Sequence, residues 1–313
     1  MAAAGLAEQH RAAIADAAAE KGFEVSFFET EEAAAAAAEE AEILFSTSGE
    51  LAGRAKELCW QCTPYAGVNQ FPPGIFASAE AVLTNSAGAY GVTISEHIVM
   101  VTLELLRRQM EYTGIVARRG WVRSLPVRSI CGSRVLLLGT GDIGQESARR
   151  LRAFRPACLT GINTTGANPG GLFDRTETMD RLDALLPETD LLILSLPGTE
   201  KTRHILGAER LRLLPDGAVI VNVGRGMSID EAALEPELRS GRLSAALDVF
   251  ETEPLPADSS LWECPNLLLT PHVAGNMTLP WTVDRIVAMF LENFERYCAG
   301  QPLLRQVDLE RGY

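Results

Sequence analysis

The chain has 313 residues, of which 47% are hydrophobic and 22% are charged, a composition typical of a globular protein with room for two domains. Its formal net charge of -13 argues against nucleic acid or an anionic membrane as a partner. Residues 1–5 have no basic segment leading into an apolar one, and no apolar run is long enough to span a bilayer, so we expect a cytoplasmic protein without membrane contact.

The N-terminal part of the chain predicts an alternation of helices and strands. Residues 6–21 have a helical pattern, on which we expect His10 to be exposed to solvent, and residues 23–28 alternate like a strand. Thr30 is expected to cap a helix over residues 31–38, and the next expected strands lie at residues 42–46, 59–61 and 82–85. Because such units usually open with a strand, the first strand is either missing from this chain or encoded upstream of it.

Cys59 and Cys62 form a C-x-x-C motif, which fits either a metal or redox site or two thiols packed in a buried strand. The other four cysteines are isolated, so no second pair completes a zinc site. We therefore expect packed thiols and no metal.

A long helix is predicted over residues 94–117, where Ile98, Val101 and Leu105 recur at helical spacing. Gly120 and Trp121 are expected to end it. A helix of this length can cross between domains or form the face of a dimer.

Three glycines follow a short apolar run in the spacing G-x-G-x-x-G, and a helical pattern over residues 145–154 comes next. Gly139 allows a tight turn, Gly141 lets a pyrophosphate approach the backbone, and Gly144 lets the helix pack close to the strand. The helix N-terminus then faces the phosphates. This strand-turn-helix context predicts a dinucleotide site, to which Asp142 and Ile143 belong.

From residue 135 onward the alternation is regular, and it ends with a helix over residues 280–298. We expect an α/β fold of two doubly wound parallel-sheet domains. A Rossmann dinucleotide-binding domain at residues 98–279 would be inserted in a flavodoxin-like substrate domain made of residues 1–97 and 280–313. The predicted strands of the inserted domain lie at residues 135–138, 158–162, 191–195, 218–223, 244–248 and 267–270.

Three polar residues, Arg225, Glu253 and His272, come just after predicted strands, at the edge where open α/β sheets bind ligands. An arginine can hold a carboxylate with two hydrogen bonds. A histidine can exchange a proton near neutral pH, and a glutamate bonded to it favours the charged imidazolium. These are the groups needed to reduce a 2-oxo acid: an anchor, a proton donor and a group that orients the donor.

On these residues the sequence resembles the D-isomer-specific 2-hydroxyacid dehydrogenase family. The resemblance covers the chain from about residue 42 onward, and the joint occurrence of its motifs is highly specific. The matching segments are residues 66–68, 96–97, 139–144, 196–197 with Thr202, 222–226 with Asp230, 247–250, 253–256 and 271–272.

The resemblance implies an enzyme that transfers a hydride between a nicotinamide cofactor and a small 2-oxo or 2-hydroxy acid of the D series. It implies a catalytic set of Arg225, Glu253 and His272, with backbone amides near Ala66 and Gly67 helping to bind the substrate carboxylate. It also implies a homodimer built around the helix after Glu96. The expected cofactor contacts beyond the glycine loop are Asn163, Thr164, Pro197, Thr202, Val223, Gly224 and Asp248, and the resemblance implies that Asp248 contacts the nicotinamide amide.

The end of the second strand departs from the pattern of NAD-preferring sites. Such sites place Asp or Glu about 20 residues past the glycines to bind the ribose 2′-hydroxyl. Here the strand ends with Asn163 and Thr164, without a carboxylate and without an adjacent arginine. An amide and hydroxyls can bond a 2′-phosphate without repelling it. We therefore expect NADP or dual use in preference to strict use of NAD.

Three other functions compete with this one. An NAD(H)-sensing scaffold without catalysis, related to the same family, would not need the set of Arg225, Glu253 and His272. A methyltransferase using the same glycine loop would need neither Arg225 nor His272, and formate oxidation would be a close variant of the same chemistry. Within the preferred function the substrate stays open, because it is decided by pocket shape around residues 63–69, 88–93 and 281.

Overall fold

The structure is a computed structural model, and it describes residues 6–309 of the chain. The chain divides into two units, Met1–Tyr90 with Met277–Tyr313, and Gly91–Asn276, which we call unit one and unit two. The predicted boundary between residues 97 and 98 falls inside the first helix of unit two. The prediction for residues 1–5 lies outside the described residues. Which unit binds substrate and which binds the dinucleotide stays a prediction at this point.

The described residues contain the following helices and strands. The helices are α1 (Glu8–Glu20), α2 (Glu31–Ala38), α3 (Gly49–Arg54), α4 (Gly91–Leu106), α5 (Gln109–Ala117), α6 (Asp142–Arg152), α7 (Leu182–Leu185), α8 (Ala208–Leu213), α9 (Glu231–Arg239) and α10 (Pro280–Cys298). The strands are β1 (Ile43–Phe45), β2 (Trp60–Cys62), β3 (Val82–Thr84), β4 (Arg134–Leu138), β5 (Cys158–Asn163), β6 (Arg175–Thr178), β7 (Leu191–Leu194), β8 (Val219–Asn222), β9 (Ser244–Leu247) and β10 (Leu267–Leu269).

Unit one is built on a three-stranded parallel sheet in the order β1-β2-β3. The ring of Phe290 in α10 stacks on Phe45 and on Trp60, with ring centroids 4.8 and 5.1 Å apart. The predicted cap is present, because Thr30 accepts a hydrogen bond from the backbone N–H of Ala33 at the start of α2. The strands and helices expected here are therefore observed, with one exception.

The exception is the strand predicted at residues 23–28, to which the structure assigns no strand. The apolar side chains do alternate, but Phe23 packs edge-on against Phe294 and Tyr297 of α10, with ring centroids 5.3 and 6.4 Å apart. An alternating pattern reports which side chains are buried, and a helix surface can bury them as well as a sheet face can.

His10 was expected to be exposed, and that expectation is wrong. It lies on the same face of α1 as Ile14 and Ala18, which are also buried. Its Nε2 atom is 2.7 Å from the Asp284 carboxylate of α10. Burying a polar ring costs less free energy when a neighbouring helix supplies a hydrogen-bonding partner, as Asp284 does here.

Unit two is built on a seven-stranded parallel sheet in the order β10-β9-β8-β7-β4-β5-β6. This confirms the doubly wound α/β fold and its six predicted strands. Sequence analysis missed the seventh strand, β6, because its sequence is short and polar and it pairs with β5 alone at the sheet edge. The order reverses at β4, whose neighbours are β5 and β7, so the loops after β4 and β7 flank a crevice of the kind that binds ligands.

The helix predicted over residues 94–117 is two helices, α4 and α5. The chain leaves the helical conformation at Arg108, whose φ of 55° is left-handed. The guanidinium Nε of Arg108 donates to Glu111 at 2.8 Å and holds the side chain over the first turn of α5. Periodicity continues across such a break, which is why the sequence pattern did not reveal it. The helix α4 packs against α6 within unit two.

The six cysteines all lie in the described part of the chain, and all are free thiols. Cys62 is buried in β2, and burial raises the pKa of its thiol to about 12. Within residues 6–309 no three His, Cys, Asp or Glu side chains converge on a common point that could hold a metal. None of the helices described is both long and apolar enough to cross a membrane.

Gly226 tests the packing of the loops that follow β8 and β9. A Cβ atom at this position would overlap the carbonyl group of Phe250, which is backbone and cannot turn away. We expect Gly226→Ala to lower the free energy of unfolding by about 3 kcal/mol, because the two loops must move apart. Chemical denaturation monitored by tryptophan fluorescence measures the change.

Gly114→Ala in α5 is the matched control. A Cβ there meets only the end of the Arg118 side chain, at 3.6 Å, so alanine is expected to be neutral or stabilising by up to about 1 kcal/mol. Equal unfolding midpoints for the two variants would contradict the packing described for Gly226.

Candidate active site

The glycine loop after β4 has the geometry that a pyrophosphate needs. Gly139 has φ 100°, and a Cβ there would stand 2.8 Å from the Ser195 hydroxyl oxygen, so only glycine fits the turn. A Cβ at Gly144 would overlap the carbonyl oxygen of Gly139, because α6 packs closely against the end of the strand. A Cβ at Gly141 would meet nothing within 4 Å, so a ligand can approach the backbone at that point.

Asp142 opens α6, where a carboxylate is favoured by the helix dipole. Its side chain is turned toward the start of α4, because a Cβ at Gly91 would lie against the Asp142 carboxylate. The first backbone N–H groups of α6 therefore remain the natural donors for phosphate oxygens. The residues of the loop fit a dinucleotide, with Ile143 half-buried behind it.

Asn163, at the end of β5, organises the loop that follows the strand. Its amide nitrogen donates to the Thr140 hydroxyl at 2.7 Å and to the Ala167 carbonyl at 2.8 Å. Its amide oxygen accepts from the backbone N–H of Gly166 at 2.6 Å. Both amide protons are thus engaged within the protein, whereas Thr164 is exposed beside it.

The loops after β7 and β8 are held against each other. Thr202 donates its hydroxyl proton to the Pro197 carbonyl at 2.7 Å, which closes the loop after β7. A Cβ at Gly224 would stand 2.7 Å from the Leu196 carbonyl oxygen, so the two loops touch through their backbones. Val223, between β8 and this contact, is buried.

Arg225 is fixed by its own loop. The buried Asn222 side chain donates to the Arg225 carbonyl at 3.0 Å and accepts from the Gly224 N–H at 3.1 Å. The Arg225 guanidinium donates to the Gly224 carbonyl at 2.7 Å. Burial lowers the pKa of Arg225 from its ordinary value, and the charge of Glu253 partly opposes this shift. The guanidinium remains cationic and is an anchor for an anion.

His272 and Glu253 form a direct pair, with the imidazole Nδ1 2.7 Å from the Glu253 carboxylate. The other carboxylate oxygen accepts from the Phe250 N–H at 2.9 Å, which fixes Glu253 in place. A carboxylate can only accept, so Nδ1 of His272 carries a proton and donates it. The second ring nitrogen, Nε2, is then free for chemistry, and the His272 side chain is 53% exposed.

Glu251, two residues before Glu253, has different partners. Its carboxylate lies 3.0 Å from Nε2 of His204 and accepts from the Glu231 N–H at 3.1 Å. Burial raises the pKa of the Glu231 carboxyl, and the nearby charges of Glu251 and Glu253 add to this effect. Glu251 and His204 are therefore occupied with each other.

Asp248 is buried, with 2% of its surface exposed, and its carboxylate accepts three hydrogen bonds. The donors are the Thr270 hydroxyl at 2.6 Å and the backbone N–H groups of Val273 and Ala274, both at 2.9 Å. The resemblance implies a contact of Asp248 with the nicotinamide amide. In the structure its carboxylate holds the turn that carries His272.

Sequence reasoning did not single out Asn222 or Thr270, although both shape the site. Each is a polar residue at the carboxyl end of a buried strand, and that position was the signal that could have revealed them. In unit one, the turn with Ala66 and Gly67 is held by Asn85, whose amide nitrogen donates to the Ala66 carbonyl at 2.9 Å.

Comparisons with known proteins agree with this geometry. The sequence profile of the "D-isomer specific 2-hydroxyacid dehydrogenase, NAD binding domain" matches residues 99–274. A glyoxylate/hydroxypyruvate reductase A of Salmonella newport is 32% identical over 247 residues, which are 79% of this chain and 77% of that protein.

Two solved structures extend the likeness over nearly the whole chain. A D-isomer specific 2-hydroxyacid dehydrogenase family protein from Aeromonas salmonicida is 33% identical, with a TM-score of 0.86 over 96% of both chains. An NADPH-dependent glyoxylate/hydroxypyruvate reductase from Sinorhizobium meliloti, in complex with NADP and sulfate, is 29% identical. Its TM-score is 0.78 over 99% of this chain and 98% of that one.

The profile covers more than half of the chain, and the relatives share its length and both halves of its fold. The reaction class follows from the family, because its members transfer a hydride between a nicotinamide dinucleotide, NAD or NADP, and a 2-oxo or 2-hydroxy acid. The chain therefore belongs to the D-isomer specific 2-hydroxyacid dehydrogenase family and is an oxidoreductase of this class.

Proposed function

We propose that the chain reduces small 2-oxo acids to D-2-hydroxy acids, with Arg225, Glu253 and His272 as its catalytic residues. The observation that carries this proposal is the 2.7 Å pair between His272 and Glu253, which leaves Nε2 of an exposed imidazole free beside a cationic arginine loop. The names of the Salmonella newport and Sinorhizobium meliloti relatives support glyoxylate and hydroxypyruvate as the substrates to test first.

Each catalytic residue has a distinct role in this reaction. The reduced nicotinamide, when bound, supplies the hydride that the carbonyl carbon of the substrate receives. His272 gives the proton on Nε2 to the carbonyl oxygen as negative charge develops there. Arg225 holds the substrate carboxylate and stabilises the developing charge. Glu253 accepts from Nδ1 and keeps the imidazole oriented. In the reverse direction, neutral His272 takes the proton.

The residues proposed to hold the dinucleotide lie in the loops of unit two that follow β4, β5, β7, β8 and β9. The glycine loop supplies N–H donors to the pyrophosphate, and the remaining contacts come from the cofactor residues expected from the sequence. For the substrate, backbone amides near Ala66 and Gly67 are proposed to contribute to carboxylate binding.

His272→Ala and Glu253→Gln test the catalytic assignment. We expect His272→Ala to lower kcat by about 100-fold or more, because a general acid contributes 10²–10⁴-fold. Glu253→Gln should lower kcat by about 10-fold or more, because an amide oxygen holds the Nδ1–H group of His272 less strongly than a carboxylate does. The Kd of the dinucleotide, measured by fluorescence titration, should change by less than about 3-fold in both variants.

Glu251→Gln is the matched control, because it removes a neighbouring charge that lies on His204 and not on His272. Near-normal turnover by His272→Ala would overturn the assignment. A wild-type protein that binds the dinucleotide but turns over no acid in a broad 2-oxo acid panel would favour the NAD(H)-sensing scaffold instead.

We also propose a preference for NADP over NAD. The loop after β5 offers the exposed Thr164 and contains no acidic residue at 163–168 that would repel a 2′-phosphate. Asn163 supports this preference indirectly. Both of its amide protons are donated within the protein, and these hydrogen bonds hold the loop in place. The Sinorhizobium meliloti relative is described as NADPH-dependent, which is consistent with the same preference.

Thr164→Asp tests where the 2′-phosphate binds. A carboxylate at this position should lower kcat/KM with NADPH by about 10-fold, because two negative charges are brought together, and should change kcat/KM with NADH by less than about 3-fold. Steady-state kinetics with both cofactors measure the ratio, and Thr164→Val controls for loss of the hydroxyl alone. A wild-type enzyme with a large preference for NADH would contradict the proposal.

We further propose a homodimer that uses α4, α5 and the segment after them. Large apolar side chains stand exposed on this surface, including Val116 at 65% and Trp121 at 87%. Exposed apolar groups close together in the chain mark association surfaces.

A cytoplasmic location is proposed as well, because six free cysteines fit a reducing compartment, and cell fractionation tests this location.

Light scattering measures the dimer directly. We expect a mass of twice 33.8 kDa for the wild type and a shift toward the monomer for Val116→Arg, because a buried arginine without a partner opposes association. Leu213→Arg on α8, also at an exposed apolar residue, is the control and should leave the mass unchanged. A wild-type monomer at micromolar concentration would overturn the proposal.

A further inference from the structure

His97 lies in α4, the first helix of unit two, and its side chain faces the residues at the ends of β9 and β10. Its side chain is 9% exposed, and its Nε2 atom is 3.3 Å from the Thr270 hydroxyl oxygen. The nearest carboxylate oxygen, on Asp248, is 4.0 Å away. Neither the proposed hydride transfer nor the cofactor loops use this imidazole, so its polar contact needs a separate explanation.

The direction of each hydrogen bond follows from the number of protons available. Thr270 has one hydroxyl proton, and its oxygen is 2.6 Å from an Asp248 carboxylate oxygen, which can only accept. The hydroxyl proton therefore lies toward Asp248. The Thr270 oxygen has lone pairs left, so the contact with His97 requires that Nε2 of His97 carries a proton and donates it. The three side chains form a relay that runs from His97 to Thr270 to Asp248.

Burial lowers the pKa of the His97 imidazole, and the charges of Asp248 and Glu104 only partly oppose this effect. At neutral pH the ring is thus neutral, with its single proton on Nε2. A neutral donor at this point directs the threonine hydroxyl without adding a second charge next to Asp248.

Asp248 in turn holds the turn that carries His272. Its carboxylate accepts from the N–H groups of Val273 and Ala274, and its carbonyl accepts from the N–H of His272 at 2.9 Å. His272 has φ 53°, a left-handed conformation that costs energy for a residue with a Cβ. The turn therefore holds this conformation only while the surrounding hydrogen bonds are made.

We infer that His97 is a positioning residue, which acts through Thr270 and Asp248 to hold the turn that aims the His272 imidazole. The inference rests on the proposed function, because it assigns His97 a part in the reaction that His272 performs. His97 touches neither of the proposed reacting groups. Its effect on rate comes from placement alone, and small displacements of a catalytic group cost large factors in rate.

Paired substitutions at His97 and Thr270 distinguish the loss of a hydrogen-bonding group from a change in side-chain volume. We expect His97→Leu to lower kcat by about 10-fold or more, because the donor is lost, whereas His97→Gln, whose amide N–H can occupy a similar place, should keep kcat within about 3-fold of wild type. Thr270→Val should lower kcat like His97→Leu, and Thr270→Ser should restore it. The Kd of NADPH should stay within about 3-fold throughout, which a general loss of structure would not allow.

Thr102→Val is the control for exchanging a buried threonine. Thr102 also lies in α4, and among the described residues its hydroxyl has no hydrogen-bond partner, so its loss should leave kcat unchanged. The double variant His97→Leu with Thr270→Val should be no slower than Thr270→Val alone, because the two residues act in series. Multiplying effects in the double variant, or a His97→Leu enzyme within about 2-fold of wild type, would overturn the inference.

Imidazole ¹⁵N NMR tests the relay without any turnover. The chain has four histidines, so His97 can be assigned by its loss in His97→Gln. We expect a neutral His97 ring with the proton on Nε2, and a changed signal in Thr270→Val. A proton on Nδ1 alone would overturn the relay. An enzyme without activity on every 2-oxo acid would instead overturn the proposed function, while the NMR result would still decide the relay.

Discussion

The parallel direction of all seven strands in unit two is the constraint on which its site depends. Parallel strands place their carboxyl ends at one edge of the sheet, so loops far apart in sequence become neighbours there. The glycine loop follows β4, Arg225 follows β8, Glu253 follows β9 and His272 follows β10. This arrangement brings the proposed anchor, orienting carboxylate and proton donor to one edge of the sheet.

The fold could be predicted from the sequence wherever side-chain burial and backbone pairing give the same pattern. Continuous apolar runs such as β4 and β7 are buried on both faces, and they were found within a residue or two. The polar edge strand β6 was missed and residues 23–28 were wrongly assigned as a strand, because in both cases burial and pairing differ. The break at Arg108 was missed because a single residue in the left-handed conformation does not interrupt the helical spacing of the apolar residues around it.

The proposed site residues and the contacts that hold them differ in how far the sequence indicates them. Arg225 and His272 could be proposed from sequence, since their chemistry is carried by residue type and by position after a strand. The contacts that hold them could not be named, because the Asn222 hydrogen bonds depend on the exact turn of its own loop, and the Thr270 hydroxyl reaches Asp248 across two loops that only the folded sheet brings together. His97 precedes Thr270 by 173 residues, and no pattern within the sequence connects them.

Histidine shows most clearly why residue type alone does not decide a role in this protein. The side chains of His10 and His97 are only 10% and 9% exposed and face polar partners, whereas the His272 side chain is half exposed and has one ring nitrogen bonded to Glu253. A hydrogen bond to one ring nitrogen fixes the orientation of the imidazole and leaves the other nitrogen able to exchange a proton. Burial of the whole side chain, in contrast, keeps solvent away from both nitrogens. His204 is also held by a carboxylate and exposed on its far side, so these two features alone do not single out His272. The proposed proton donor, His272, stands in addition on the strained turn that Asp248 maintains.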